Sequence, residues 1–189
     1  HQSSITASHY ALDSHAVRKR EEGRVHLDGF LSYPSAVYTV PYGVMVPKEV
    51  GNLLLPVPVS GSHIGFSTLR MEPCWMAMGQ AAGIASALSI DGKVKVQNID
   101  LSRLQDKLID QKATLMYFKD VDYMSPHFRM VQYLGLRGYL PEWDARLQEP
   151  VDMATLTAWK KLSGKDLPGI EAGKTTRLVA LEMIYRKIK

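Results

Sequence analysis

Ser62, His63, Ser67, Thr68 and Arg70 stand together just ahead of Pro73, supplying hydroxyl, imidazole and guanidinium donors within one short stretch. Pro73 suits the first turn of a helix, where its missing N–H is no loss, and the free N–H groups there give a local positive potential. An electron-rich oxygen would be stabilised at that point. From Pro73 to Ile90 no residue is charged, and Gly79, Ala82, Gly83 and Ser86 recur at helical spacing, so one face carries almost no side chain. Such a face lets a backbone or a flat ring come close. The expectation is a buried helix with a polar group at its N-terminus, which points to a cofactor. The competing reading is a core helix with a solvated polar loop before it. A membrane span fits less well, because the run is short and rich in Gly, Ala, Ser and Gln.

Other reactive residues are weaker candidates. Cys74 is the single cysteine, so it makes no internal disulfide, and no Cys/His pair has zinc-ligand spacing. No metal site is expected. Lying in the first turn of the proposed helix, Cys74 is either a thiol activated by the dipole or a small apolar filler. Among the histidines, His1, His9, His26 and His127 have surroundings that surface or capping roles satisfy. His15 and His63 each follow a serine and stand as candidates for hydrogen bonding or proton transfer, against a purely structural bond.

The elements that position these groups follow from pattern. Arg24 to Leu31 and Val37 to Val46 read as strands, with turns at Tyr33 to Ser35 and at Pro47 to Lys48. Asn52 to Val59 reads as a strand apolar on both faces, as a buried parallel strand would be, feeding the uncharged helix. After Asp91 and Gly92 stop that helix, Val94 to Val96 reads as a short edge strand. Asp100 then caps a helix over Leu101 to Lys112, with Leu101, Leu104 and Leu108 on one face.

The string PYGVMVPKEVGNLLLPVPVSGSHIGFSTLRMEPCWMAMGQAAGIASAL resembles the C-terminal part of FAD-dependent oxidoreductases that share a two-dinucleotide-binding-domain architecture. The matching features are the Asn-Leu-Leu run from Asn52 to Leu55, the Ser62–His63 loop, Arg70 with Pro73, and Gly-Gln-Ala-Ala-Gly from Gly79 to Gly83. The segment YALDSHAVRK, with Asp13, Ser14 and His15, resembles a part of the family that precedes this core. The resemblance covers roughly residues 8 to 116. It implies FAD as cofactor, with Ser62, Ser67, Arg70, Met71, Pro73 and Gly79 as cofactor-binding residues and His63 and His15 as catalytic candidates. It also implies that the helix starting near Met71 to Pro73 points at the pyrimidine end of the isoalloxazine ring. Arg70 needs a partner beside an uncharged helix; a flavin oxygen, a phosphate or a carboxylate would serve, the alternative being an ion pair with Glu72 or with residues outside the chain.

The dinucleotide signature of that family is missing, since no Gly-x-Gly-x-x-Gly follows a strand. The chain opens on His1 with neither an initiator Met nor a targeting segment. The expectation is therefore a C-terminal fragment whose first partner is the missing N-terminal part of the same protein.

From about Tyr117 the character changes. Helices are expected over Ser125 to Leu136, stopped by Gly138, over Asp152 to Leu162, and over Thr175 to Ile188 with a threonine cap. Phe118, Asp120 and Val121, then Tyr133 and Leu134, then Gly138 and Leu140 resemble a surface-layer-homology unit. The match departs at Pro141, Glu142 and Trp143. Tyr133, Tyr139, Trp143 and Trp159 form either an aromatic platform for sugars or the core of a small helical unit.

The fold class expected is α/β: a C-terminal flavoprotein piece over residues 1–116, then a small all-α unit over 117–189. A hydrophobic content of 46% is ordinary for a soluble protein. A net charge of +4, spread along the chain, lacks the dense basic patch that a nucleic-acid partner needs. Two function classes remain. In one, the chain is part of an FAD-dependent oxidoreductase that takes a hydride from an unknown small-molecule or sugar substrate, the isolated fragment being inactive. In the other it is a non-catalytic binding or interaction module, carbohydrate or cell-wall associated. The compartment is not readable from this sequence; an extracytoplasmic or periplasmic one is one expectation.

Overall fold

The computed structural model describes residues 2–16, 22–23 and 29–189. The expected strand segment Arg24 to Asp28, and His1 and His26, lie outside the described residues. The chain divides into one compact unit of Ile5–Leu104 and another of His1–Ser4 with Gln105–Lys189. Mixed α and β structure is present, with six α-helices and two two-stranded sheets among the described residues.

Strand β1 (Ser4–Ser8), all but its first residue in the unit Ile5–Leu104, is followed there by β2 (Leu12–His15), β3 (Phe30–Tyr33) and β4 (Tyr38–Pro41). β1 pairs with β4, and β2 pairs antiparallel with β3 in the register Asp13↔Ser32 and His15↔Phe30. The expected strand over Val37 to Val46 is shorter: β4 gives way to a 3-10 turn at Tyr42–Met45. That turn buries Met45 and Tyr42, whose hydroxyl donates to the Val96 carbonyl at 2.8 Å. Burial pushes the Tyr42 phenol up to about 12.

Three expectations are corrected here. Asn52 to Val59 is not a parallel strand: Pro56 and Pro58 remove ladder donors, and Asn52 sits at φ 56°. Single bonds tie the segment to the 3-10 turn instead, Leu55 N–H to Met45 at 2.8 Å and Ser60 N–H to Val44 at 2.7 Å. The stretch after Ser62 is not a loop but helix α1 (His63–Leu69), which Ser62 caps by accepting the Gly65 N–H at 3.0 Å. Val94 to Val96 forms no strand either; a 3-10 turn occupies Val96–Asn98.

Helix α2 (Glu72–Gly92) begins as expected, with Pro73 in its first turn, and ends on Lys93 at φ 50°. It is buried along one stripe only, at Cys74, Met78, Ala81, Ala85 and Leu88, while Gly79, Gly83 and Ser86 are exposed. The lack of charge thus does not mean burial on all sides. Helix α3 (Leu101–Asp110) starts where expected, with Asp100 accepting the Ser102 N–H at 2.8 Å.

The unit containing Gln105–Lys189 is built on α4 (Phe128–Leu136), α5 (Met153–Ser163) and α6 (Arg177–Ile188). Gly138, at φ 86°, closes α4 by donating to Gly135 at 2.9 Å. Asp152 caps α5 through the Thr155 N–H at 2.8 Å, and Thr176 caps α6. The Thr155 backbone N–H, then its hydroxyl, hold the Asp152 carboxyl below its ordinary range. The aromatic platform is not formed: Trp159, Tyr139 and Tyr133 are buried, and only Trp143 is exposed. A unit this small needs its large rings for its core.

Gly135 faces Phe118 so closely that an added Cβ would lie 2.9 Å from its Cζ and 3.2 Å from Met116 Sδ. Both neighbours are buried and have little room to yield. Gly135→Ala is expected to destabilise the chain by about 1–3 kcal/mol. Urea unfolding followed by circular dichroism measures this, and an unchanged midpoint would contradict it.

Candidate functional site

The site residues named from sequence all fall in the unit Ile5–Leu104. α1 carries His63 and Ser67, Ser62 precedes it, and Arg70 is its C-terminal cap; Met71 is then the N-terminal cap of α2. A two-residue joint therefore places Arg70 directly behind the start of α2. No side chain caps that start, although Glu72 stands in its first turn, so its first N–H groups have no capping partner. Gly79 lies about 10 Å further along α2 at 1.5 Å per residue. A Cβ added at Gly79 or Gly83 would meet nothing within 4 Å, which leaves a bare backbone face open to a flat group.

β2 contributes the other half of the site. Asp13, on this strand, is the residue on which the candidates converge. Its carboxylate forms an ion pair with Arg70 through Oδ2 and lies 2.9 Å from His15 Nε2 through Oδ1. Its backbone N–H donates to Ser67 Oγ at 3.2 Å. Ser67, which is buried, donates its own hydroxyl hydrogen bond to the Ile64 carbonyl at 2.6 Å. His63 Nε2 lies 3.0 Å from the His15 carbonyl, and since a carbonyl only accepts, this nitrogen carries the hydrogen.

Neighbouring bonds hold the assembly in place. Thr68 Oγ1 donates to the Tyr10 carbonyl at 2.5 Å, and the Tyr38 hydroxyl reaches the Thr68 carbonyl at 2.9 Å. The Arg70 guanidinium also lies over the Tyr10 ring, 5.6 Å from its centre, a favourable cation–π placement. Arg70 thus finds its partner in Asp13, not in Glu72.

The structure therefore gathers His15, Ser67 and Arg70 around Asp13, and His63 joins them through the His15 carbonyl, with Met71 and Pro73 adjoining in sequence. Asp13 and Tyr10 carry no signal in the sequence beyond their place in the segment leading to His15, whereas Thr68 stands among the donors ahead of Pro73. At Cys74 the activated-thiol reading is not supported. Burial raises its pKa, a Ser8 hydrogen bond opposing only in part, so the thiol form is favoured. Trp75, in the same turn, has a buried Nε1 with no partner among the described residues.

Among the described residues, no group of three or more His, Cys, Asp and Glu is placed to hold a metal ion. No described helix is long and apolar enough to cross a membrane. The family model described as FAD dependent oxidoreductase matches residues 1–108, a span that holds every residue of this site. No curated protein and no solved structure matches the chain.

Proposed function

The chain belongs to the FAD dependent oxidoreductase family, and on that premise we propose that it supplies the flavin-facing portion of such an enzyme. The observation that carries this reading is the uncapped start of α2 directly behind Arg70, continued by the open backbone at Gly79 and Gly83. The donor set fits a flavin: helix N–H groups, the Arg70 guanidinium, the Ser62 hydroxyl and the unpartnered Trp75 Nε1. Ser62, Arg70, Met71, Pro73 and Gly79 are the proposed cofactor-binding residues. Ser67 belongs with them through its hold on the Asp13 backbone.

The bound flavin would supply the hydride acceptor, with a small molecule or sugar as donor. His15 and His63 are the proposed catalytic residues, which bind and orient that substrate and hold or accept a proton at a ring nitrogen. His15 is well exposed, so a ligand can reach it. The pyrophosphate grip is proposed to come from a preceding part of the same protein, since no Gly-x-Gly-x-x-Gly is present. Residues 1–116 are then the C-terminal flavoprotein piece, and residues 117–189 a surface-layer-homology-like packing or interaction unit.

Arg70→Ala is expected to lower FAD retention at least tenfold in the full-length gene product. FAD released on denaturing a weighed sample of purified protein measures it. Equal FAD content in variant and wild type would remove Arg70 from the flavin site.

A further inference from the structure

We infer that Asp13 is a positioning residue, whose carboxylate fixes His15 in the Nε2–H form and leaves Nδ1 as the ring nitrogen that accepts a hydrogen bond from a ligand hydroxyl or N–H. The inference rests on the proposed role of His15 at the substrate.

The argument is one of lone pairs. Oδ1 of Asp13 lies 2.9 Å from His15 Nε2, too close for two bare lone pairs, so the hydrogen of the neutral ring sits on Nε2. The Nδ1 lone pair is then free, and it has no partner among the described residues. The carboxylate cannot turn away, because its other oxygen is held by Arg70. Nor can the Asp13 backbone shift easily: it is paired with Ser32 across the sheet and bonded to Ser67 on α1. Cross-strand stacking on Phe30, with ring centres 5.9 Å apart and planes inclined by 30°, holds the imidazole from a second side. His15 is nonetheless 63% exposed, so its side chain is not enclosed by the described residues. A carboxylate that orients an imidazole and selects its tautomer is a general way to prepare a hydrogen-bond or proton acceptor.

Arg70 gains a second role from this geometry. It anchors the orienting carboxylate while its own position behind α2 serves the flavin, so the two halves of the proposed site share one ion pair. A substitution at Asp13 should disturb both.

The test is ring-nitrogen NMR on the 189-residue chain labelled with ¹⁵N-histidine, at a pH where the imidazoles are neutral. In the wild type the two His15 nitrogens are expected at well-separated positions, Nε2 as N–H type and Nδ1 as bare type, with no minor tautomer. In Asp13→Ala they should move toward each other as the ring reverts to the tautomer mixture of free imidazole, and Asp13→Glu should restore part of the separation. A His15 ring that is already mixed in the wild type, or carries its hydrogen on Nδ1, overturns the inference even if Asp13→Ala does not fold. An Asp13→Ala spectrum unchanged at His15 overturns it as well. No flavin enters this experiment, so a protein that fails to hold FAD yet shows the single tautomer would sink the proposed function and leave the role of Asp13 standing.

Discussion

Trp159→Ala is expected to cost about 3–5 kcal/mol of stability in the unit Gln105–Lys189. The ring is only 1% exposed, and its Nε1 donates to the Tyr139 carbonyl at 2.7 Å. Truncation opens a cavity and orphans that carbonyl, two penalties that add. A third follows from Arg177, whose guanidinium lies 5.2 Å from the ring centre. Arg177 is itself buried and donates from Nε to the Ala145 carbonyl at 2.9 Å. Burial first, and then the neighbouring Arg146, lower its pKa, so it depends on the packing and cation–π contact that Trp159 supplies. Domains of ordinary stability hold about 5–15 kcal/mol, and this one change should remove a large part of it. Urea unfolding followed by far-ultraviolet circular dichroism avoids the change in tryptophan signal. A shift of less than about 1 kcal/mol would show that the core of this unit lies elsewhere.

Gln132→Leu should be at least as damaging, although it places an apolar residue in an apolar core. Gln132 is fully buried on α4, where its Oε1 accepts the N–H groups of Leu115 and Met116, each at 2.9 Å. Its Nε2 donates to the Met116 carbonyl at 2.7 Å. One side chain thus serves as the hydrogen-bond partner for a bend of backbone that joins no sheet among the described residues. Leucine would orphan two N–H groups and one carbonyl, at about 1–3 kcal/mol for each group left buried and unpaired. Gln132→Glu, in its neutral form, would keep the accepting oxygen and should recover part of the loss at low pH. Amide hydrogen exchange reads the effect locally: Leu115 and Met116 should lose protection in Gln132→Leu. Wild-type protection at both amides would mean that the backbone finds other partners.

The helices were legible because their signals are local. Asp100, Asp152 and Thr176 stand where caps are needed, and Pro73 and Gly138 mark a start and a stop with one residue each. The apolar run after Asn52 misled because Leu53 to Leu55 outweighed Pro56 and Pro58, whose missing donors rule out a central strand. α1 was hidden by its length and by Gly65 within it. β2 reads Leu-Asp-Ser-His, with neither the branched residues nor the clean alternation of a strand, and exists through its pairing with β3. For the site, the sequence pointed to Arg70, His15 and His63 but could not show that Asp13, 57 residues from Arg70, would hold Arg70 and His15 together. Such convergence depends on long-range packing of α1 on β2, which no local pattern encodes.

The central claim, that α2 and Arg70 face a flavin, is tested most directly by the visible absorption spectrum of the full-length gene product containing these residues. The protein should purify yellow, with flavin bands that diminish sharply in Arg70→Ala while the fold is kept by circular dichroism. A colourless full-length protein that takes up no FAD when the cofactor is added would contradict the account.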